Sequence, residues 1–149
     1  MRSFTKRAKP LFIDTTAFCA TRDEDDLHHD EAVEALKKLR GRKLITTDWV
    51  IAESGALIRR KLGFKESRLF LEAVEEGRAT GVLEMVFVDE DLLREGIALF
   101  LDWANPNLSL VDAVSIALCK GRGIKEALAF DRHFEEAGMK LYSSEETLK

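Results

Sequence analysis

Leu11-Phe12-Ile13-Asp14-Thr15-Thr16 is the stretch on which the fold turns. Three large apolar residues in a row, with no polar alternation, mark a short strand buried on both faces. Asp14 follows flush against that run, at the carboxyl end of the strand, where a charge is costly to hold. The pattern recurs at Leu128-Ala129-Phe130-Asp131, with the strand read over Ala127 to Phe130. Lys43 to Thr46, Leu83 to Val88 and Lys140 to Tyr142 supply the other strands.

Helical stretches fill the gaps. After an acidic loop, Glu31 to Leu39 has helical periodicity and ends at Gly41. Trp49 to Leu62 precedes Gly63, Lys65 to Glu76 is closed by Gly77, and Asp91 to Ala104 stops before Asn105-Pro106. Leu110 to Lys120 is almost without polar residues and should be central and covered. Arg132 to Ala137 is a short helix ahead of Gly138. Strands alternating with helices predict an α/β fold, a single-domain α/β/α sandwich with a central parallel sheet. No repeat, linker or low-complexity segment divides residues 1–149, and residues 1–10 form a basic tail (Arg2, Lys6, Arg7, Lys9). Ligands of such sheets gather beyond the carboxyl ends of the strands.

With 149 residues, 46% hydrophobic and 34% charged, the composition is that of an ordinary globular chain. A formal net charge of −4 argues against nucleic-acid binding through overall charge. If nucleic acid is the substrate, bound cations must supply part of the positive charge. Cys19 and Cys119 sit in apolar stretches and read as buried free thiols of a reducing compartment, not as a zinc site. The apolar run after the basic start is too short for a signal peptide or a membrane span, so the expectation is a cytoplasmic protein with no membrane association.

Four acids stand out, each with a plainer alternative. Asp14 and Asp131 follow strands, and either could be a helix N-cap. Glu53 has apolar helical neighbours Trp49, Val50, Ala56 and Leu57, so it either binds a cation or forms a buried salt bridge. Asp112 sits in Ser109-Leu110-Val111-Asp112, a capping-box pattern, yet with Ser115 it makes the only polar strip of its helix. All four can meet at one sheet edge. Carboxylates gathered there need protons or a cation, and hard oxygen ligands suit Mg²⁺ or Mn²⁺. Such a site activates water and shields a phosphoryl group, with two ions roughly 4 Å apart in the two-metal version.

Phe12-Ile13-Asp14-Thr15-Thr16, Thr46 to Glu53, Leu108 to Ala113 and Ala129 to Phe134 resemble, in that order, the four motifs of PIN-domain ribonucleases. The likeness is closest to VapC-like toxins of toxin–antitoxin pairs. It implies phosphodiester hydrolysis of RNA with Mg²⁺ or Mn²⁺, and Asp14, Glu53, Asp112 and Asp131 as catalytic metal ligands. Thr16 matches a hydroxyl residue that contacts the first acid, and Val111 departs from a Thr common in relatives. The resemblance also implies a homodimer and an antitoxin-like partner against the helices between Trp49 and Glu76. Leu57, Ile58, Leu62, Phe64, Leu69, Phe70 and Leu71 there exceed what one sheet face needs.

Other residues are read more plainly. Asp89 is a helix cap, His28 and His29 are solvated loop residues, and His133 occupies a surface position at a helix start. Arg59-Arg60-Lys61 is a solvated face or a phosphate track, and Trp49 and Trp103 belong to the core. Two rival functions remain at this stage. One is a phosphatase with Asp14 as nucleophile, although Thr16 stands where a haloacid-dehalogenase-like enzyme has a second Asp. The other is a non-catalytic RNA- or protein-binding relative. An RNA-processing nuclease outside any toxin–antitoxin system would carry the same site.

Overall fold

The computed structural model describes residues 9–142, so the expected basic tail lies, apart from Lys9 and Pro10, outside the described residues. The elements are β1 (Leu11–Ile13), α1 (Thr15–Arg22), α2 (His29–Lys38), β2 (Leu44–Thr47), α3 (Asp48–Leu62), α4 (Phe64–Ala79), β3 (Leu83–Val86), α5 (Glu90–Asp102), α6 (Leu110–Arg122), β4 (Glu126–Leu128), α7 (His133–Glu136) and β5 (Lys140–Leu141). The five strands are all parallel, in the order β3-β2-β1-β4-β5. This is the α/β/α sandwich that the alternation of strands and helices predicts.

Strand β1 is central, with Phe12 opposite Ile45 on one side and Ala127 on the other. Leu11, Phe12 and Ile13 are all buried, as their unbroken apolar run requires. The chain steps from β1 out to β2 and β3, then crosses back to β4 and continues the opposite way to β5. Right-handed crossovers place the helices of the two outward steps on one face and the later ones on the other. Accordingly α1 packs on α2 and α3, and α3 on α4, while α5 packs on α6. The direction reverses between β1 and β4, which opens a crevice beyond the carboxyl ends of those two strands.

The helix expected to be central is so: α6 is buried without interruption from Asp112 to Cys119. It is covered by α5, whose Gly96 leaves no room for a side chain. A Cβ there would lie 2.4 Å from Val114 Cγ2. Asp89 caps α5 as expected, accepting from the Leu92 amide at 2.9 Å.

Four local expectations are corrected. The segment after Asp14 is not loop all the way to Glu31, because Thr15–Arg22 forms α1. Three threonines make it a poor helix by propensity and eight residues make it short, but Ala17, Phe18 and Ala20 are buried, with Phe18 edge-on to Phe70 at 5.5 Å. Tertiary packing overrides propensity there. Gly77 does not close α4, which runs on to Ala79; a Cβ on Gly77 would sit 3.2 Å from Leu83 Cβ, so glycine serves close helix–strand approach instead. Strand β3 ends at Val86, and the Val88 amide goes to the Asp48 carboxylate at 2.9 Å. Strand β4 ends at Leu128, since the Phe130 amide donates to Thr16 Oγ1 at 2.9 Å.

Candidate active site

Asp14 remains tied to the sheet through its amide, which donates to the Leu128 carbonyl at 3.1 Å. Its own carbonyl accepts from Ala17 and Phe18, both at 3.1 Å, and so starts α1. Asp14 thus holds the N-cap position of α1, but its side chain makes no cap bond. Asp14 is 1% exposed; its Oδ2 accepts from Thr16 Oγ1 at 3.2 Å, and its Oδ1 has no partner among the described residues. By accepting from Phe130 at the same time, the Thr16 hydroxyl holds the ends of β1 and β4 together.

Asp112 answers to both of its readings. Ser109 Oγ accepts from the Asp112 amide at 3.0 Å while Asp112 Oδ2 accepts from the Ser109 amide at 3.1 Å, a complete capping box. The same carboxylate faces the crevice residue His133, whose Nδ1 lies 3.0 Å from Asp112 Oδ2 and 3.4 Å from Asp131 Oδ1. Asp131 Oδ1 also accepts from the His133 amide at 3.0 Å. Ligand-capable atoms of Asp112, Asp131 and His133 all fall within 4.8 Å of one another. His133 is therefore not a surface residue: its side chain is 13% exposed. The signal available in the sequence was its place two residues after a strand-end acid. A helix start at that point conceals that the side chain turns inward.

Glu53 is placed differently from the expectation. The buried stripe of α3 is Val50, Ile51, Ser54 and Ile58, whereas Ala56 and Leu57 are exposed. Glu53 is half-buried at the edge of that stripe, and among the described residues no salt bridge holds it there; its Oε1 accepts from Thr15 Oγ1 at 2.7 Å. It reaches the crevice through the neighbour of Asp14, and neither it nor Asp14 belongs to the close Asp112–Asp131–His133 group. The strip on α6 is also only partly polar in its surroundings, since Ser115 Oγ is buried with no partner among the described residues.

Electrostatics follow from this crowding. Burial first, then Asp131 and Asp112, push the Asp14 carboxyl up to about 8, against the Thr15 and Thr16 amides, which lower it. Asp112 is also raised, chiefly by burial and further by Asp131, against the Ser109 amide and His133, which lower it. Burial, with Glu53 and Asp14 next, drives the Cys19 thiol up to about 11, so a thiolate is not on offer here. Both cysteines are free, Cys119 buried and Cys19 half-buried. A buried carboxylate oxygen without a donor, beside two further carboxylates, is the donor set of a hard divalent cation, and the residues present fit such an ion.

The remaining expectations divide. His29 Nδ1 meets the Ala20 carbonyl at 2.7 Å and the His28 ring stacks on Phe130, so neither is merely solvated. Trp49 and Trp103 are half-buried, Trp103 packing against the core. Arg59, Arg60 and Lys61 are exposed, but Arg59 lies over the Phe64 ring at 5.0 Å and Lys61 Nζ bonds Asp23 at 2.7 Å. Among the described residues no helix is long and apolar enough to cross a membrane.

A parallel α/β/α sandwich with carboxylates gathered where its strand order reverses is the class that fold and site define. The chain belongs to the PIN-domain family, whose model matches residues 11–140. A Mycobacterium tuberculosis protein, the 23S rRNA-specific endonuclease VapC20, is 28% identical over 131 residues, covering 86% of this chain and 94% of that protein. The crystal structure of Mycobacterium tuberculosis VapC20, described as a Sarcin-Ricin loop cleaving toxin, superposes with a TM-score of 0.77 at 26% identity, covering 87% of this chain and 95% of that one. VapBC2 from Rickettsia felis, solved bound to a promoter DNA fragment, shares the fold at a TM-score of 0.64 and 11% identity, over 89% of this chain and 97% of its own.

Proposed function

We propose that the chain is a divalent-metal-dependent endoribonuclease, acting in the cytoplasm as the toxin of a toxin–antitoxin pair. In this reading Asp14, Asp112, Asp131 and Glu53 hold Mg²⁺ or Mn²⁺. The bound ion supplies an activated water and shields the charge that develops on the phosphate. The chain's own residues set the stage. Thr16 orients Asp14, Ser109 and His133 orient Asp112, and Thr15 ties Glu53 to the same edge.

The observation that carries this reading is Asp14 Oδ1, buried and without a donor among the described residues beside two other acids. A buried polar atom left unsatisfied calls for a ligand. The nucleophile reading of Asp14 is weaker, because Thr16 stands where a phosphatase of that kind has its second Asp. The substrate class follows from the VapC20 relative: a structured rRNA loop is the first RNA to try. An antitoxin-like segment and a second copy are the proposed protein partners. Leu57, Phe64 and Leu71 on α3 and α4 are exposed, which supports a docking surface there.

The test is cleavage of 23S rRNA and of isolated hairpins with Mg²⁺ or Mn²⁺, with end analysis of the products. The expected result is internal cleavage with 5′-phosphorylated fragments, stopped by EDTA. Cleavage that persists in EDTA, or in both Asp14→Asn and Asp112→Asn, sinks the assignment. A short upstream reading frame encoding a DNA-binding partner favours the toxin role over RNA processing.

A further inference from the structure

His28 and Phe130 meet face to face, ring centroids 4.5 Å apart and planes within 4°. Phe130 is the residue immediately before Asp131, so the pair borders the acid crevice. The loop that presents His28 is held in place from both sides. Buried Asp23 takes Lys61 Nζ at 2.7 Å and the Asp25 amide at 3.0 Å, and Asp26 Oδ1 takes the His28 amide at 2.8 Å. His28 stands at the N-cap of α2 without a side-chain cap bond; its ring stacks on Phe130, and its Nδ1 edge lies 3.8 Å from Glu31 Oε1. The side chain is still 39% exposed. The parallel Phe130 ring covers one face, which leaves the other face as the one a further ring would stack on. Leu27 next to it is 92% exposed.

We propose that His28, backed by Phe130, is a stacking platform for an unpaired nucleobase of the RNA, adjacent to the phosphodiester held at Asp112 and Asp131. This rests on the ribonuclease reading above. Bases splayed out of RNA loops stack on aromatic rings, His among them, and stacking accepts any base because each has a π-face. It also needs no positive charge. That matters here, where the loop is Asp23-Glu24-Asp25-Asp26 and the whole chain carries −4. A planar ring fixed by its backbone and by a second ring costs little further ordering when a base arrives.

The experiment uses an RNA hairpin that the wild type cleaves, carrying 2-aminopurine at single loop positions. Binding is read by fluorescence in an Asp14→Asn background, and cleavage in the otherwise native protein. Three variants separate stacking from packing: His28→Ala, His28→Leu and His28→Phe. Leucine covers Phe130 as well as histidine does but has no planar face. The expected result is quenching at one loop position that survives His28→Phe. His28→Ala and His28→Leu should lose it, with KM raised about tenfold, the scale of one lost base stack, and kcat changed less. Melting curves verify that all three fold. Unchanged quenching and KM in the folded Ala or Leu variant overturn the platform, and so does a folded Phe variant as poor as Ala. A wild type that cleaves no RNA overturns the ribonuclease reading instead, a distinct outcome.

Discussion

Helix α1 is bracketed by two buried aspartates that the protein treats in opposite ways. Asp14 at its N-terminus is 1% exposed and Asp23 at its C-terminus is 4% exposed. The helix dipole favours the first position for a carboxylate and disfavours the second. Yet the Asp14 carboxyl is raised to about 8, while Lys61, through its hydrogen bond, holds Asp23 below its usual value. Lys61 is raised in turn by the same bond. Asp23 is compensated by a cation and by the Asp25 amide and acts as architecture, fixing the loop. Asp14 has further acids near it, and its Oδ1 is without a partner among the described residues. The contrast shows that burial of a carboxylate is uninformative by itself. What marks a candidate site is burial that the protein leaves uncompensated.

The largest effect that can break this contrast is on activity. Asp14→Asn and Asp112→Asn should each lower RNA cleavage by more than about a hundredfold, beyond the usual cost of removing an outer partner of a metal ligand. At saturating RNA, where weaker binding through the loop does not enter, Asp23→Asn should keep cleavage near the wild-type rate while melting lower. Single-turnover rates on one RNA decide this, and an Asp23 variant as inactive as Asp14→Asn would erase the distinction.

Next comes the response to metal. Mn²⁺ at a hundred times its dissociation constant should stabilise the wild type by about 2.7 kcal/mol. Asp23→Asn should show the same gain in a thermal melt, and Asp14→Asn should lose most of it. A metal shift that Asp23→Asn abolishes and Asp14→Asn retains would put the cation at the wrong end of the helix.

Without metal the signs should separate. Asp112→Asn should raise the melting temperature, because it removes a like charge while the amide oxygen still accepts from Ser109. Asp23→Asn should lower it by breaking the bond to Lys61. Calorimetry in EDTA at neutral pH reads both; a lowered melt for Asp112→Asn would mean that its cap role outweighs the repulsion.

The smallest effect is the pH profile of the metal-free protein. Folded-state values for Asp14 and Asp112 are raised, so their contribution is complete below the unfolded carboxylate pKa and is lost as pH rises, for Asp14 through about 8. Asp23 and Glu84 are lowered, and their contribution disappears as pH falls through the carboxylate range. Stability in EDTA should therefore rise on going from pH 8 to pH 5 and fall again below roughly pH 4. A profile that is flat across the upper window would leave the acid cluster without strain.

The sheet was legible in the sequence because buried parallel strands declare themselves as unbroken apolar runs, and the acids at Asp14 and Asp131 because each stands flush against one. The central position of α6 was legible for the same reason. Helix α1 was not, since its apolar residues Ala17, Phe18 and Ala20 acquire meaning only against Phe70 and the sheet. His133 was missed because the sequence gives a residue's place in the chain but not the direction of its side chain after a tight turn. Glu53 was read from helical neighbours, and half of those proved to face outward. Local patterns specify period and burial well. They do not specify which edge of a stripe meets the crevice.

The Thr16 hydroxyl accepts from the amide of Phe130, 114 positions along the chain, and donates to the carboxylate of Asp14. The four acids of the proposed site lie on four separate segments, and β4 gains its outer neighbour only when Ala127 pairs with Leu141. During synthesis the crevice therefore cannot assemble on any early portion of the chain, because contacts of such long sequence separation form late. A nascent chain that stops short of Phe130 lacks both the tie to Thr16 and the last of the four acids. In a chain proposed to cut ribosomal RNA, that delay is a built-in safety interval for the machine that makes it.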